Sequence, residues 1–549
     1  VPSPIVSSRR PRVALAGAVA LLLVVLAACS SSSGTAGPGS TDPQPDPSSA
    51  SAGPRDGGTL DIGVPAALAS WSPAGPAWSA AELQGARAVY DRLVTRDVDD
   101  VPVPDLAASV TPNADFTVWT VAVRPGVTFH DGTPLDAIAV AANLTAQRTA
   151  PDAAALLVPI ASVQATNATT VVVTMATPWS TFPQVLTTQV GYIAAPSVLT
   201  GASATPIGTG PFAYTGVALD GSVTLTRNAS YWKSGLPHLD AVRFVTIPEA
   251  SARVDAVIDG TVDLVAVDEP RQLSRLDDLG DASGVVVVDD RNGERPKVNL
   301  AFETGRPPFD HITAQRAVGL ATDRDAILET VFDGQGTIAR GMLSDASPWF
   351  SDHTAPARDV ERARKQAEEY TKETGEPLSF KLLVPADPTL AHVASLWRVQ
   401  LAQAGIDLQL EPVDEPTLVV ATLLGQFQAA LGVGFADPHP DLYEPLFRGI
   451  PAEQPAINTN ITRYVNPVVT KAFADARQTV DVTRQVDDYR IVQEQLSVDD
   501  PYLFLVQVRS VVVVSSKVKD MTSWAAGSGD SSLVDEATTL SLAQVWLAG

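Results

Sequence analysis

Between residues 378 and 433 the chain alternates strand-like and helix-like patterns at a spacing that few architectures accommodate. Residues 379–384 read as a strand, and 388–404 carry Leu390, Val393, Ala394, Trp397 and Leu401 on one helical stripe. Gly405 stands where a helix-ending left-handed residue belongs. A strand at 407–411, a helix at 416–424 and a strand at 428–433 follow. Such alternation predicts a largely parallel sheet covered by helices, an α/β protein. The same two periods recur elsewhere, with strands at 59–64, 116–124, 170–175, 223–226, 242–247, 285–289 and 298–302 and helices at 82–94 and 135–147. No repeat of fixed period runs through them. With 549 residues there is room for about three domains.

The N-terminus reads differently. Arg9, Arg10 and Arg12 precede an uncharged apolar run at 13–28, shorter than the ~20 residues that span a bilayer. Basic, apolar and then small residues are the layout of an export signal. The run ends in Leu26-Ala27-Ala28-Cys29, which resembles the lipobox of bacterial lipoproteins, and Cys29 is the only cysteine in the chain. The expectation is a signal peptide at 1–28 and lipidation of Cys29 as the new N-terminus. Residues 29–56, rich in Ser, Gly and Pro, then form a flexible tether. Removing the three arginines would take the net charge from −24 to −27. Without a second cysteine no intramolecular disulfide can form, so stability must come from a large apolar core. A surface this acidic repels phosphate backbones, and nucleic acid is excluded as a partner.

Several enzyme signatures are missing. No Gly-Lys pair offers a phosphate-cradling loop, and no serine has glycines two residues away on both sides. None of the six histidines precedes a glutamate, and a lone cysteine cannot build a thiolate metal cluster. The reading is a non-enzyme with no cofactor and no metal site.

Phrases along residues 57–515 resemble the extracellular solute-binding proteins of family 5, the peptide- and nickel-type binding components of ABC importers. They are Gly57-Gly58-Thr59-Leu60, Val89-Tyr90-Asp91-Arg92-Leu93-Val94, Pro104-Asp105-Leu106-Ala107 and the run 119–133 (WTVAVRPGVTFHDGT). Ile207-Gly208-Thr209-Gly210-Pro211-Phe212, the run 228–239 (NASYWKSGLPHL), Arg316-Ala317-Val318 and Ala321-Thr322-Asp323-Arg324 follow in the family's order. Most of these phrases read as structural: His130 as a hydrogen-bonded scaffold residue, Gly208 and Gly210 as close backbone approaches, Tyr231 and Trp232 as packing anchors.

The resemblance implies a two-lobe periplasmic-binding-protein-like fold (type II, with an extra small domain) and a ligand cleft between the lobes. Lobe I would comprise 57–92, 205–290 and 508–549, with the small domain inserted at 93–204; lobe II would be 291–507. It also implies a monomer, anchored by lipid to the extracytoplasmic face of the membrane, that captures a solute by hinge closure and docks on an ABC permease. An oligopeptide is the default ligand. A non-peptide solute (a metal chelate, glycan or glycoside) and an envelope lipoprotein that keeps the fold without transport are the alternatives.

For site residues, the resemblance points to the segment 432–441 after a strand end. There Asp437 fits an aspartate that pairs with a peptide's ammonium, and Asp441 is the alternative if the alignment slips. The family's tryptophan is absent, with Phe435 or Gly434 in its place, and prolines flank His439; Phe435 and His439 are read with Asp437 as ligand contacts in the pocket wall. Trp71 and Trp78, in the loop after the first strand, offer rings for stacking on a ligand. Arg340 is the candidate partner for a ligand carboxylate.

Overall fold

The computed structural model describes residues 53–97, 100–151, 153–279, 284–289, 294–353, 357–449, 458–521 and 541–548. The expected signal peptide, Cys29 and most of the tether lie outside them. Among the described residues no helix is long and apolar enough to cross a membrane.

Three larger sheets organise the body. The first has seven strands in the order Val285–Val288, Val511–Ser515, Leu264–Val267, Thr59–Val64, Ala241–Thr246, Val223–Arg227 and Phe212–Val217. The second has six, in the order Gly336–Ile338, Tyr502–Val508, Lys297–Phe302, Ala429–Gly434, Ser379–Pro385 and Asp407–Val413. A four-stranded antiparallel sheet is built from Ala107–Pro112, Val118–Val123, Thr170–Met175 and Ile160–Asn167. The protein is therefore an α/β molecule of two lobes, each on its own large sheet, with a small additional sheet.

Local patterning explains the elements. The helix Pro388–Gln403 starts at Asp387, whose side chain accepts the Leu390 N–H, and Pro388 supplies the preset first turn. It buries Leu390, Val393, Ala394, Trp397 and Leu401, the stripe read from the sequence. Trp397 packs edge-on to Phe380 and its indole donates to Thr322 Oγ1 at 2.8 Å. Truncating a buried Trp of this kind typically costs 3–5 kcal/mol. Gly405 ends the unit with φ 78°, as expected.

Two expectations need correction. Ser379–Pro385 does pair in parallel with both neighbours, but Lys297–Phe302 runs antiparallel to Ala429–Gly434 and to Tyr502–Val508, so the sheet is mixed. Orientation between segments so far apart in the chain leaves no local trace. The helix expected at 82–94 is also shorter. It spans Ala80–Val89 behind a Ser79–Glu82 capping box, Tyr90 is already extended, and Val94–Arg96 is a strand.

The cause is Asp91, which three distant donors capture. Its carboxylate accepts Thr209 Oγ1 at 2.9 Å, the Tyr231 hydroxyl at 2.9 Å and the Trp232 indole at 2.8 Å. Lys233 pairs with the neighbouring Asp105 at 2.9 Å and lies over the Trp232 ring, as does Arg124. Burial pushes the Asp91 carboxyl up to about 6, against the pull of Lys233, so it remains ionised at neutral pH.

Beside it, a Cβ on Gly208 or Gly210 would meet Val89 backbone atoms at 2.2 and 2.5 Å, so only glycine allows the approach. His130 completes the junction. Its Nδ1 accepts the Gly208 N–H at 3.3 Å and its Nε2 lies 3.0 Å from the Gly210 carbonyl oxygen, which together fix the Nε2–H tautomer.

Replacing Asp91 with Asn turns an acceptor for three donors into a group that must point its own N–H at one of them. The expected loss is about 3 kcal/mol or more of unfolding free energy, read by denaturant titration. A stability change under 1 kcal/mol would deny the junction its role.

Candidate functional site

Counted strand by strand, the chain passes between the two large sheets twice: from Val285–Val288 to Lys297–Phe302, and from Tyr502–Val508 to Val511–Ser515. A cavity of about 740 Å³ lies between the sheets. One wall is the strand ends at Gly63, Val64 and Val267 with Asp268 and Glu269. The other is Pro385, Asp387, Gly432 and Val433. Carboxyl ends of strands are where open α/β sheets present ligands, and this volume suits a small solute or short peptide.

Acids outnumber bases in the lining. Asp268, Glu269, Asp387 and Glu415 face Arg253 alone. Glu269 and Asp387 also cap helices, accepting the Gln272 and Leu390 N–H groups. Asp268 is crowded by its neighbours, and burial raises its carboxyl. Arg253 opposes that rise, and Asp387, across the gap on the other wall, adds to it. Arg253 donates to the carbonyls of Ile247 and Pro248 at 2.9 and 2.7 Å. Two like charges on opposite walls resist closure, and a cationic group between them would relieve that resistance.

A polar cluster spans the second crossing. Arg509 pairs with Asp277 at 2.7 and 2.9 Å and with Asp289 at 2.9 Å, and it donates to Gln335. Asp289 also takes Arg295, and Ser274 donates to Asp333 at 2.6 Å. These groups come from both lobes, so relative motion of the lobes must carry or break them.

None of the five residues singled out in the sequence for ligand contact lines the 740 Å³ cavity. Asp437 lies just beyond Gly432 and Val433, half-buried, its carbonyl accepting the Tyr443 hydroxyl at 2.7 Å. Burial raises its carboxyl, and Arg96 and Lys297 pull against that rise. Phe435 is a core residue with φ 59°, its ring wedged among Tyr443, Tyr502 and Phe504. Left-handed backbone at a bulky residue is strained, and here it turns the chain out of the strand. The fully buried Lys297 fixes that turn, donating to the Phe435 carbonyl at 2.8 Å while paired with Glu294.

His439 is buried between Trp349 and Tyr489, and its Nδ1 accepts the Asp441 N–H. Trp71 packs edge-on to Tyr214, and Trp78 packs against Tyr90 and Tyr192. Arg340 sits near Asp345 and Asp352, away from this cavity.

Asp441 belongs to a junction between the small sheet's domain and the second lobe. Fully buried, its carboxylate accepts the Trp179 indole at 2.8 Å, Thr181 Oγ1 at 2.7 Å and Arg477 Nε at 2.7 Å. Arg477 also stacks over Trp179, and Leu442 inserts into the small domain's apolar core.

Sequence reasoning missed Arg96, Arg253, Asp268, Asp387 and Arg509. One signal was available. The acid–proline pairs Glu269-Pro270, Asp387-Pro388 and Glu415-Pro416 each follow a strand and open a helix, and all three acids line the cavity.

Burial depresses His439 from the usual 6.5 to about 4, so the fold holds it neutral while the unfolded chain protonates near 6.5. Stability from this group is complete above 6.5 and is lost as pH falls toward 4, by about 3 kcal/mol at 1.36 kcal/mol per unit. Burial alone would raise Asp441, but Arg477 and the Thr181 hydroxyl outweigh it and hold the carboxyl below its ordinary value. That contribution persists to about pH 4 and is lost only below. His439→Asn retains the cap acceptor without the titration. Its stability relative to the parent is expected to improve steadily between pH 7 and 4 in urea melts; parallel curves would remove the assignment.

Comparison with known proteins bears on these features. Residues 101–449 match the family described as bacterial extracellular solute-binding proteins, family 5. The glutathione-binding protein GsiB of Pectobacterium atrosepticum is 26% identical over 455 residues, covering 79% of this chain and 85% of that protein. The oligopeptide-binding protein AppA of Bacillus subtilis, solved with a nonapeptide, superposes with a TM-score of 0.75 at 20% identity, covering 90% of this chain and all of AppA. NikA of Brucella suis, solved with Fe(III)-EDTA, gives 0.74 at 21% identity, covering 89% of this chain and all of NikA. The last two likenesses speak to the fold. With the matched region spanning more than half its length, two sheets facing across a cavity and the motifs gathered around Asp91, the chain belongs to family 5 of the bacterial extracellular solute-binding proteins.

Proposed function

We propose that this protein captures a peptide-like solute between its lobes and delivers it to an ABC permease, held at the outer face of the membrane by lipidated Cys29. The observation that carries the reading is the 740 Å³ cavity bounded by strand ends of both large sheets, between bodies that the chain joins by two crossings. In this reading lobe I is 57–92, 205–290 and 508–549, the small domain is 93–204, and lobe II is 291–507. The solute touches both walls and so favours the closed arrangement, by hinge closure around Arg509. No reaction on the solute is required, and the protein acts as a monomer without cofactor.

Peptides suit the site because backbone groups can be bonded along strand ends without reading side chains. The acidic lining favours a solute with a positive end; Asp437, outside the lining and four residues beyond Val433, is the partner we assign to its ammonium. Likeness to a glutathione-binding protein supports a short peptide over a sugar.

The direct test is to purify the soluble body, release whatever accompanies it and identify it by mass spectrometry. A reproducible peptide is expected; a sugar or a metal chelate would overturn the ligand class, and a cleft that retains and binds nothing would overturn transport. With that peptide in hand, Asp437→Asn is expected to weaken binding more than about tenfold in calorimetry, the value of a charged hydrogen bond. Unchanged affinity would remove Asp437 from the site.

A further inference from the structure

Pro270 and Phe332 line the cavity from the two lobes, and just behind them the lobes touch. The helix Pro270–Asp277 leads away from the first wall and is held on its own lobe by the buried Leu273 and Leu276. On the other side, residues 333–336 turn the chain from Phe332 into Gly336–Ile338, the edge strand of the six-stranded sheet. That turn is rigid. The Gly334 and Gln335 N–H groups donate to the carbonyls of Leu328 and Phe332 at 3.1 and 2.7 Å. Asp333 and Gly334 are left-handed, with φ 55° and 70°, and a Cβ on Gly336 would meet the Gln507 carbonyl oxygen at 2.6 Å.

Across the seam Ser274 Oγ donates to Asp333 at 2.6 Å, and the Gln335 amide donates to Asp277 at 3.0 Å and to Ser274 Oγ at 3.2 Å. The donors between helix and turn are a hydroxyl and an amide, and both carboxylates are exposed. The charge of Asp277 is met instead by Arg509, at 2.7 and 2.9 Å, and Arg509 stands on the chain crossing between Tyr502–Val508 and Val511–Ser515. Parting helix from turn would therefore exchange neutral donors for water and leave the ion pair whole, which is far cheaper than separating charges.

We infer that the helix Pro270–Asp277 and the turn 333–336 form a latch that holds the lobes closed without touching the solute. The latch rests on the capture reading above and adds what sets its balance. Asp268 and Asp387 repel across the cavity, and the latch opposes them. Apparent affinity scales with the fraction of molecules already in the binding arrangement, so Ser274, Asp333 and Gln335 act as positioning residues for any solute.

Paired spin labels test this on protein carrying Cys29→Ser and freed of solute. Ala252→Cys and Ala391→Cys supply the attachment points, both exposed, beside Arg253 and Leu390 on helices of the two walls. Ser274→Ala combined with Gln335→Ala is expected to raise the ratio of long to short separations at least about tenfold in dipolar spectroscopy, the worth of one charged hydrogen bond. Ser274→Ala alone, a mild change within a helix, should shift it less and in the same direction.

Unchanged distances in both variants would overturn the latch, and so would a shift toward shorter separations, which would assign these contacts to the open form. The measurement needs no solute, so the two readings fail separately. Unchanged distances in a protein that retains a peptide end the latch alone; lobes that part as expected in a protein that retains and binds nothing keep the latch and end the transport reading.

Discussion

The buried carboxylate of Asp441 ties the inserted small domain to the second lobe. It takes hydrogen bonds from Trp179 and Thr181 of the inserted domain and an ion pair from Arg477 of the second lobe, all without exposure to water. A buried carboxylate is tolerable only when fully satisfied, so these donors must stay together or the charge is stranded. Residues 439–443 are thereby fixed, and the turn that carries Phe435 and Asp437 is anchored from its C-terminal side. On its N-terminal side Lys297 and Glu294 do the same, with Glu294 also accepting the Ser344 N–H and hydroxyl. The candidate ligand contact is thus held between two buried charge clusters, which suits a site meant to be preorganised before its guest arrives.

The second constraint is electrostatic balance across the cleft. At the crossing Gln335 and Arg295 of the second lobe meet Asp277, Asp289 and Arg509 of the first, while Asp268 and Asp387 repel across the opening. Attraction at the hinge with repulsion at the mouth leaves the closed form needing a guest of opposite sign. A ligand can shift such an equilibrium only by its differential affinity for the two arrangements. Two walls contributing to one cavity provide that difference.

Much of the fold was legible because its elements are strongly periodic. The helix that buries Trp397 and the left-handed Gly405 followed from spacing and turn chemistry alone. His130, Gly208, Tyr231 and Trp232 were also read as scaffold residues, and each takes that part around Asp91. The site was less legible. Phe435 and His439 were read as pocket wall and are packed inward, because a loop's apolar residues carry no period that says which way they face. Trp71 and Trp78 likewise pack on tyrosines that are distant in sequence.

What the sequence determined by itself is the alternation of strand and helix, the caps and turns, the acidic surface and the family whose motifs it carries. These are set by residues close together, through periodicity, capping and composition. Only the tertiary structure decided that the second sheet is mixed and that Asp91 and Asp441 are the junctions. Each of those depends on partners more than a hundred residues apart. Burial and a low local dielectric give such pairs their strength, and neither exists until the chain has folded.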